Sequence, residues 1–238
     1  MARLFRVLKR LLPDRWRQRI KISRARMFEV LGSYRYSMPA LNQLDRRVLE
    51  YLPSTAGVFL EIGANNGFAQ SNTYFLERAR GWRGILIEPV PHLYRDCHRL
   101  RRGSVTFNRA CIGEHGPAAI DIVDIGLMSV AIGLQEETEQ AGRLSKRGRS
   151  HATFLVPTAR ISELIDQAGE TGVDFMSVDV EGAELEVLSG LDLARHTPGH
   201  LLIETRHPDK VAAMLGDRMR LREKMTQHDY LFERVEAP

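Results

Sequence analysis

Cysteine is scarce in this sequence: Cys97 and Cys111 are the only two in 238 residues. They lack C-x-x-C spacing and have no neighbouring ligand cluster, so they exclude a disulfide framework and read as reduced thiols of a reducing compartment. No run approaches the ~20 consecutive apolar residues that a membrane-crossing helix needs. Charges interrupt every apolar stretch near the amino terminus, so a secretory leader is not expected there. Aromatic residues make up only 7% of the chain. The most basic segment has just Phe5 and Trp16 among its cations, too few for base stacking, and no nucleic-acid partner is expected. Internal repeats and low-complexity tracts are also missing.

What is present is the composition of one globular α/β domain with modest appendages, 43% hydrophobic and 27% charged. Charge is uneven along it. Residues 1–28 hold ten Lys or Arg against one acid, Asp14, a charge of +9 that leaves −5 on the rest of a chain whose net charge is +4. Such an arm on an acidic body implies an anionic partner. Leu4, Val7, Leu8, Leu11 and Leu12 recur at helical spacing, with Arg3, Arg6, Lys9 and Arg10 elsewhere on the turn and Pro13 as the stop. The expectation is a basic amphipathic arm over 1–28 lying on an anionic membrane surface, the protein being cytoplasmic and peripheral on the inner face. The alternative is a helix packed on the domain or a partner chain. A helical connector over 29–56, built on Leu41, Leu44, Val48, Leu49 and Leu52, would lead to the main domain over 57–238.

The strongest motif is Glu61-Ile62-Gly63-Ala64-Asn65-Asn66-Gly67 after the apolar run Val58-Phe59-Leu60. It reads as a buried strand breaking into a glycine turn, followed by a helical segment, a second strand at 84–88 and an acid, Glu88, at that strand's carboxyl end. A carboxylate about 20 residues past such a turn accepts the hydroxyls of a ribose. The glycine spacing departs from a dinucleotide fingerprint. Glu61 would repel a pyrophosphate but suits the cationic methionine portion of S-adenosylmethionine. A dinucleotide-dependent sugar oxidoreductase is the competing reading. Further strands are expected near 104–109, 118–123, 153–157, 174–179, 200–205 and 230–235, with helices over 71–80, 91–102, 161–168 and 183–190. This alternation predicts a mostly parallel, doubly wound Rossmann-like sheet with an N-terminal helical extension. The polar stretch 125–150 breaks the rhythm and is expected to be a substrate lid.

In doubly wound sheets ligands lie at the carboxyl ends of the strands. That rule makes Glu61, Gly63, Ala64, Asn65, Gly67, Asn72, Glu88 and Pro89 candidate cofactor contacts, with Cys111 and Ile112 where an adenine edge would rest. Thr73, next to Asn72, is either a helix cap or a contact. Asp179 closes the strand 174–179, where it would act as general base, position cofactor, or share a divalent ion with Glu204. A metal is not part of the expected cofactor set. His207 ends the strand 200–205 and is the second candidate base, with His151 beside the lid.

Three blocks resemble the FkbM-type S-adenosylmethionine-dependent methyltransferases. They are 59–67 with Ser71-Asn72-Thr73-Tyr74-Phe75-Leu76-Glu77, then Gly81-Trp82-Arg83-Gly84-Ile85-Leu86-Ile87-Glu88-Pro89, then 174–188 around Asp179-Val180-Glu181-Gly182. The likeness runs over roughly residues 55–205. It implies a class I methyltransferase fold, S-adenosyl-L-methionine as cofactor, and O-methylation of a sugar hydroxyl in a glycan or glycosylated metabolite; the basic arm adds a lipid-linked acceptor. One departure is Asn66, where the family usually has aspartate. A non-catalytic membrane scaffold with a degenerate methyltransferase fold is the reading that this departure favours.

Overall fold

The computed structural model describes residues 13–124, 129–131 and 152–235. In chain order the strands are β1 (Val58–Ile62), β2 (Arg83–Ile87), β3 (Ser104–Phe107), β4 (Ala110–Cys111), β5 (Ala119–Asp124), β6 (Val130–Ala131), β7 (Ala152–Ala159), β8 (Phe175–Val178), β9 (His200–Glu204), β10 (Met219–Lys224) and β11 (Asp229–Arg234). The helices are α1 (Asp14–Val30), α2 (Leu44–Arg47), α3 (Tyr74–Arg80), α4 (Pro91–Leu100), α5 (Ile161–Gln167), α6 (Glu184–Ser189), α7 (Leu193–His196) and α8 (Pro208–Leu215). The main sheet runs β10-β11-β9-β8-β1-β2-β3, and β11 pairs antiparallel with both neighbours while the other pairings are parallel.

The period-2 alternation of the strands sorts the core into two layers. Val58, Leu60, Ile62, Ile85, Ile87, Met176, Val178, Leu201 and Ile203 face α5, α6 and α8. Phe59, Leu86, Phe175, Leu202 and Leu231 face the connector, α3 and α4, around Trp82 and Leu76. Since both faces are covered, the central strands read as nearly unbroken apolar runs.

Several expectations change. The segments expected as strands at 118–123 and 153–157 are not in the main sheet: β5 and β7 pair antiparallel with each other and join β4 and β6 in a separate four-stranded sheet. The third strand stops at Phe107, and the next pairing residues, Ala110 and Cys111, already belong to that second sheet. The connector is not one helix, because Asn42 and Gln43 take left-handed backbone angles, φ 52° and 57°, between short helical pieces. Pro13 stands at the N-cap of α1, and the stretch it was expected to end lies outside the described residues. Helices α7 and α8 and strand β10 were not anticipated. The amphipathic stretch over 4–12, most of the expected lid and His151 lie outside the described residues. Among the described helices none is long and apolar enough to cross a membrane.

Candidate active site

The site is assembled where β1 breaks. Gly63 has φ +84°, and a Cβ there would stand 2.0 Å from the main-chain oxygen of Asp179. Only glycine lets the turn cross so near the end of β8. The Gly63 and Ala64 amides then donate to the Ile87 carbonyl at 3.0 and 3.1 Å, drawing the ends of β1, β2 and β8 together. Gly63→Ala is expected to destabilise the fold by more than the ~1 kcal/mol of an ordinary glycine effect, read as the shift of a denaturant midpoint.

The loop that follows is held from inside. The Glu61 carboxylate is 4% exposed and accepts from Ser71 Oγ at 2.9 Å, Thr73 Oγ1 at 2.7 Å and the Asn72 amide at 2.9 Å. Across it lies Arg101, wholly buried, whose guanidinium donates to Glu77 at 2.8 Å, to the Gly67 carbonyl at 3.0 Å and to Thr73 Oγ1 at 3.1 Å, and stands 3.8 Å from Glu61. Two acids and one cation thus form a buried network that shapes the loop. Asn66 Oδ1 accepts the amides of Phe68 and Ala69 at 3.0 and 2.8 Å. An amide oxygen does this as a carboxylate would, so the missing aspartate leaves the loop closed.

A cavity opens beneath the turn, bordered by Glu61, Gly63, Asn65, Asn72, Glu88, Pro89, Cys111 and Asp179 of the residues expected from sequence, together with Gln70, Leu93, Arg109, Ile120, Ile122, Ser177 and Glu181. Glu88 is buried, with one carboxylate oxygen held by the Asn65 amide at 2.7 Å and the other by the Val90 amide at 2.8 Å. Burial, with Asp124 adding to it, pushes its carboxyl up to about 7 against those two hydrogen bonds. Four expected residues lie elsewhere. Ala64 packs in the core with Phe59 and Leu76, Gly67 sits under Arg101 and Cys97, and Ile112 covers Gly116 and borders neither cavity. His207 is exposed at the N-cap of α8, three residues past the end of β9, and also borders neither. Cys111 borders the cavity, and burial pushes its thiol up to about 12, which disfavours the thiolate.

A second cavity shares Gln70, Asn72, Ser177 and Asp179 with the first and extends over the β9 and β11 ends to Asn42, Glu204, Gln227, His228 and Asp229. Asp179 therefore stands in the common wall. Its carboxyl is raised well above the usual carboxylate range, by burial first and then by Glu204, Glu181, Asp229 and Glu184. Left-handed non-glycine backbone concentrates here: Asn65 (φ 51°), Gln70 (61°) and Glu181 (57°) border the first cavity, and Asn42 the second. Such strain collects where a site over-determines its loops. Among the described residues, no group of three or more His, Cys, Asp or Glu is placed to hold a metal ion.

Numbered within the main sheet, the strand order is 3-2-1-4-5-7-6 with the seventh antiparallel. With a glycine turn after the first strand and an acid after the second, this is the architecture of class I S-adenosylmethionine-dependent methyltransferases. The chain matches the family described as the methyltransferase FkbM domain over residues 61–232 and belongs to it. Its cofactor is accordingly S-adenosylmethionine. No curated protein matches it in sequence. Among solved structures it resembles the FkbM methyltransferase of Methylobacillus flagellatus (17% identity, TM-score 0.45), covering 75% of this chain but only 43% of that one. It also resembles a TehB-like SAM-dependent methyltransferase from Corynebacterium glutamicum (10%, TM-score 0.44, covering 92% of this chain and all of that one). A third is Aeropyrum pernix fibrillarin with bound S-adenosyl-L-methionine (14%, TM-score 0.42, covering 77% and 69%).

The first cavity fits that cofactor. Leu93, Cys111, Ile120 and Ile122 form an apolar wall that would suit a flat base, and the Glu88 carboxylate would suit a vicinal diol. At the other end the Oδ1 of Asn72 is buried with no hydrogen-bond partner, an acceptor that a ligand ammonium would satisfy. Glu88→Ala should weaken S-adenosylhomocysteine binding by about 1.5–3 kcal/mol in calorimetry; unchanged affinity would remove the ribose assignment. Hydroxyls donate best to an ionised carboxylate, so affinity should strengthen as pH rises through the Glu88 value of about 7. For the unliganded protein the sign is opposite. The fold holds that proton more tightly than the unfolded chain does, so stability declines as pH rises from the ordinary carboxylate range toward about 7.

Proposed function

We propose that the protein is an O-methyltransferase whose acceptor is a carbohydrate hydroxyl, part of a glycan or glycosylated metabolite, lodged in the second cavity. The observation that carries this reading is Asp179 in the wall common to both cavities. S-adenosylmethionine, when bound, supplies an electrophilic methyl group. The protein's part is alignment and proton removal. Glu88 and the apolar wall would hold the cofactor's nucleoside, and Asn72 its amino end. Asp179, when ionised, accepts the hydroxyl proton as the oxygen attacks, and its raised carboxyl brings it nearer to working pH than an ordinary aspartate. Asn42, Gln70, Gln227 and His228 line the acceptor side with donors and acceptors that suit a polyhydroxylated ligand. The basic arm favours a lipid-linked acceptor at the cytoplasmic face.

Family membership sets the dinucleotide oxidoreductase aside. Transfer of isotopically labelled methyl from S-adenosylmethionine to a panel of neutral oligosaccharides, phenols and peptides tests the proposal. Label in an alkali-stable sugar ether is expected. Label in an alkali-labile ester or on nitrogen would overturn the hydroxyl assignment, and cofactor binding without transfer to any acceptor would favour the scaffold.

A further inference from the structure

Helix α1 meets the domain with one side only. Ala25 is fully buried and packs, with Ile22, on Phe68, Tyr74, Tyr36 and Leu100. Glu29, from the same side, accepts from Ser37 Oγ at 2.7 Å and Arg78 Nε at 2.9 Å. The opposite side shows solvent Trp16 (49% exposed), Ile20 (47%), Met27 (56%) and Val30 (87%), with Leu31 (73%) just past the helix end. At 3.6 residues per turn these five fall within an arc of about 100° centred opposite Ala25. Cations edge the arc on both sides: Arg15, Arg19 and Arg26 on one and Arg24 on the other, all exposed. Arg24 lies 4.0 Å over the Tyr36 ring and Arg19 5.8 Å from Trp16.

We propose that this outward face of α1 docks on an anionic lipid bilayer, the five apolar side chains entering the interface and the flanking cations meeting the phosphates. A lone exposed apolar residue needs no explanation, but an aligned set bordered by cations does. The arrangement suits an interfacial helix, whose indole would sit among the headgroups and whose long cationic stems would reach outward to them. Charge decides among occupants. A second copy laid stripe to stripe would bring the flanking arginines against one another, and a nucleic acid would meet the cations yet cover neither Val30 nor Leu31. A bilayer with anionic headgroups matches both features.

The test uses the full chain and two vesicle types, phosphatidylcholine alone and an equimolar mixture with phosphatidylglycerol. The chain has two tryptophans, and Trp82 is 2% exposed, so Trp16 dominates any emission change. A blue shift is expected with anionic vesicles and should fade as salt rises. The charge-preserving variant Ile20→Ser/Met27→Ser/Val30→Ser should partition at least tenfold more weakly, as should Arg15→Gln/Arg19→Gln/Arg26→Gln. Both should keep the wild-type melting temperature and S-adenosylhomocysteine affinity. Residues 1–12 are common to every protein compared, so any loss belongs to α1. Undiminished vesicle binding by the serine variant would overturn the proposal. So would a change of oligomeric state in that variant by light scattering without loss of vesicle binding, which would mark a self-association face, or wild-type binding to oligonucleotides in preference to both vesicles.

Discussion

Asp179→Asn is expected to keep its fold and most of its cofactor affinity while turnover falls by ~10²-fold or more, the scale of losing a general base. The substitution keeps the side chain's volume and removes its ability to take a proton. Its surroundings explain the size of the effect. Burial and the carboxylates of Glu204, Glu181, Asp229 and Glu184 all oppose ionisation, so once charged this group is a stronger base than a solvated aspartate. The wild-type rate should rise with pH as Asp179 ionises, and that limb should vanish from the variant's profile. If the variant instead loses S-adenosylhomocysteine binding, Asp179 positions the cofactor and the base lies elsewhere, with His228 of the second cavity the next group to test.

Arg101→Met should cost about 3–5 kcal/mol of stability, as when one partner of a buried ion pair is removed. Glu61 and Glu77 would be left buried without their cation, and the Gly67 carbonyl without its donor. The measurement is a denaturant midpoint with the slope checked for two-state behaviour. Unlike Asp179→Asn, this change should weaken cofactor binding through the loop although Arg101 does not border the cavity. A variant as stable as the wild type would show that the network contributes no net stability.

What the sequence displayed and what it concealed divide along physical lines. Phe175-Met176-Ser177-Val178 and Gly84-Ile85-Leu86-Ile87 were legible because strands buried on both faces must be apolar nearly throughout. Glu88 was legible because its distance from the glycine turn is set by one strand-helix-strand unit. Strand β10, Met219-Arg220-Leu221-Arg222-Glu223-Lys224, was not, because an edge strand protected by charge loses its apolar alternation. Arg101 was invisible as well: its partners are Glu61 and Glu77, 40 and 24 residues away, and nothing local marks an arginine as wholly buried. Glu61 borders the first cavity as its place at the turn suggested, and its oxygens are also engaged by Ser71, Asn72 and Thr73, as those of Glu88 are by Asn65 and Val90. His207 misled because β9 ends at Glu204, earlier than the sequence suggested, and the chain has already turned into α8.

The position of β11 between β9 and β10 also imposes an order of assembly. Residues 219–224 have no partner in the sheet except 229–234, so the two can only enter together, as a hairpin laid against the edge of β9. The bend of that hairpin carries Thr226, Gln227 and His228, and β11 opens with Asp229, one flank of the second cavity. Glu88, Gly63 and Asn72 all belong to earlier segments. A growing chain halted before residue 229 would therefore carry the residues that line the first cavity and lack one flank of the second. On the function proposed above, the half of the site that chooses the substrate is the last to be synthesised.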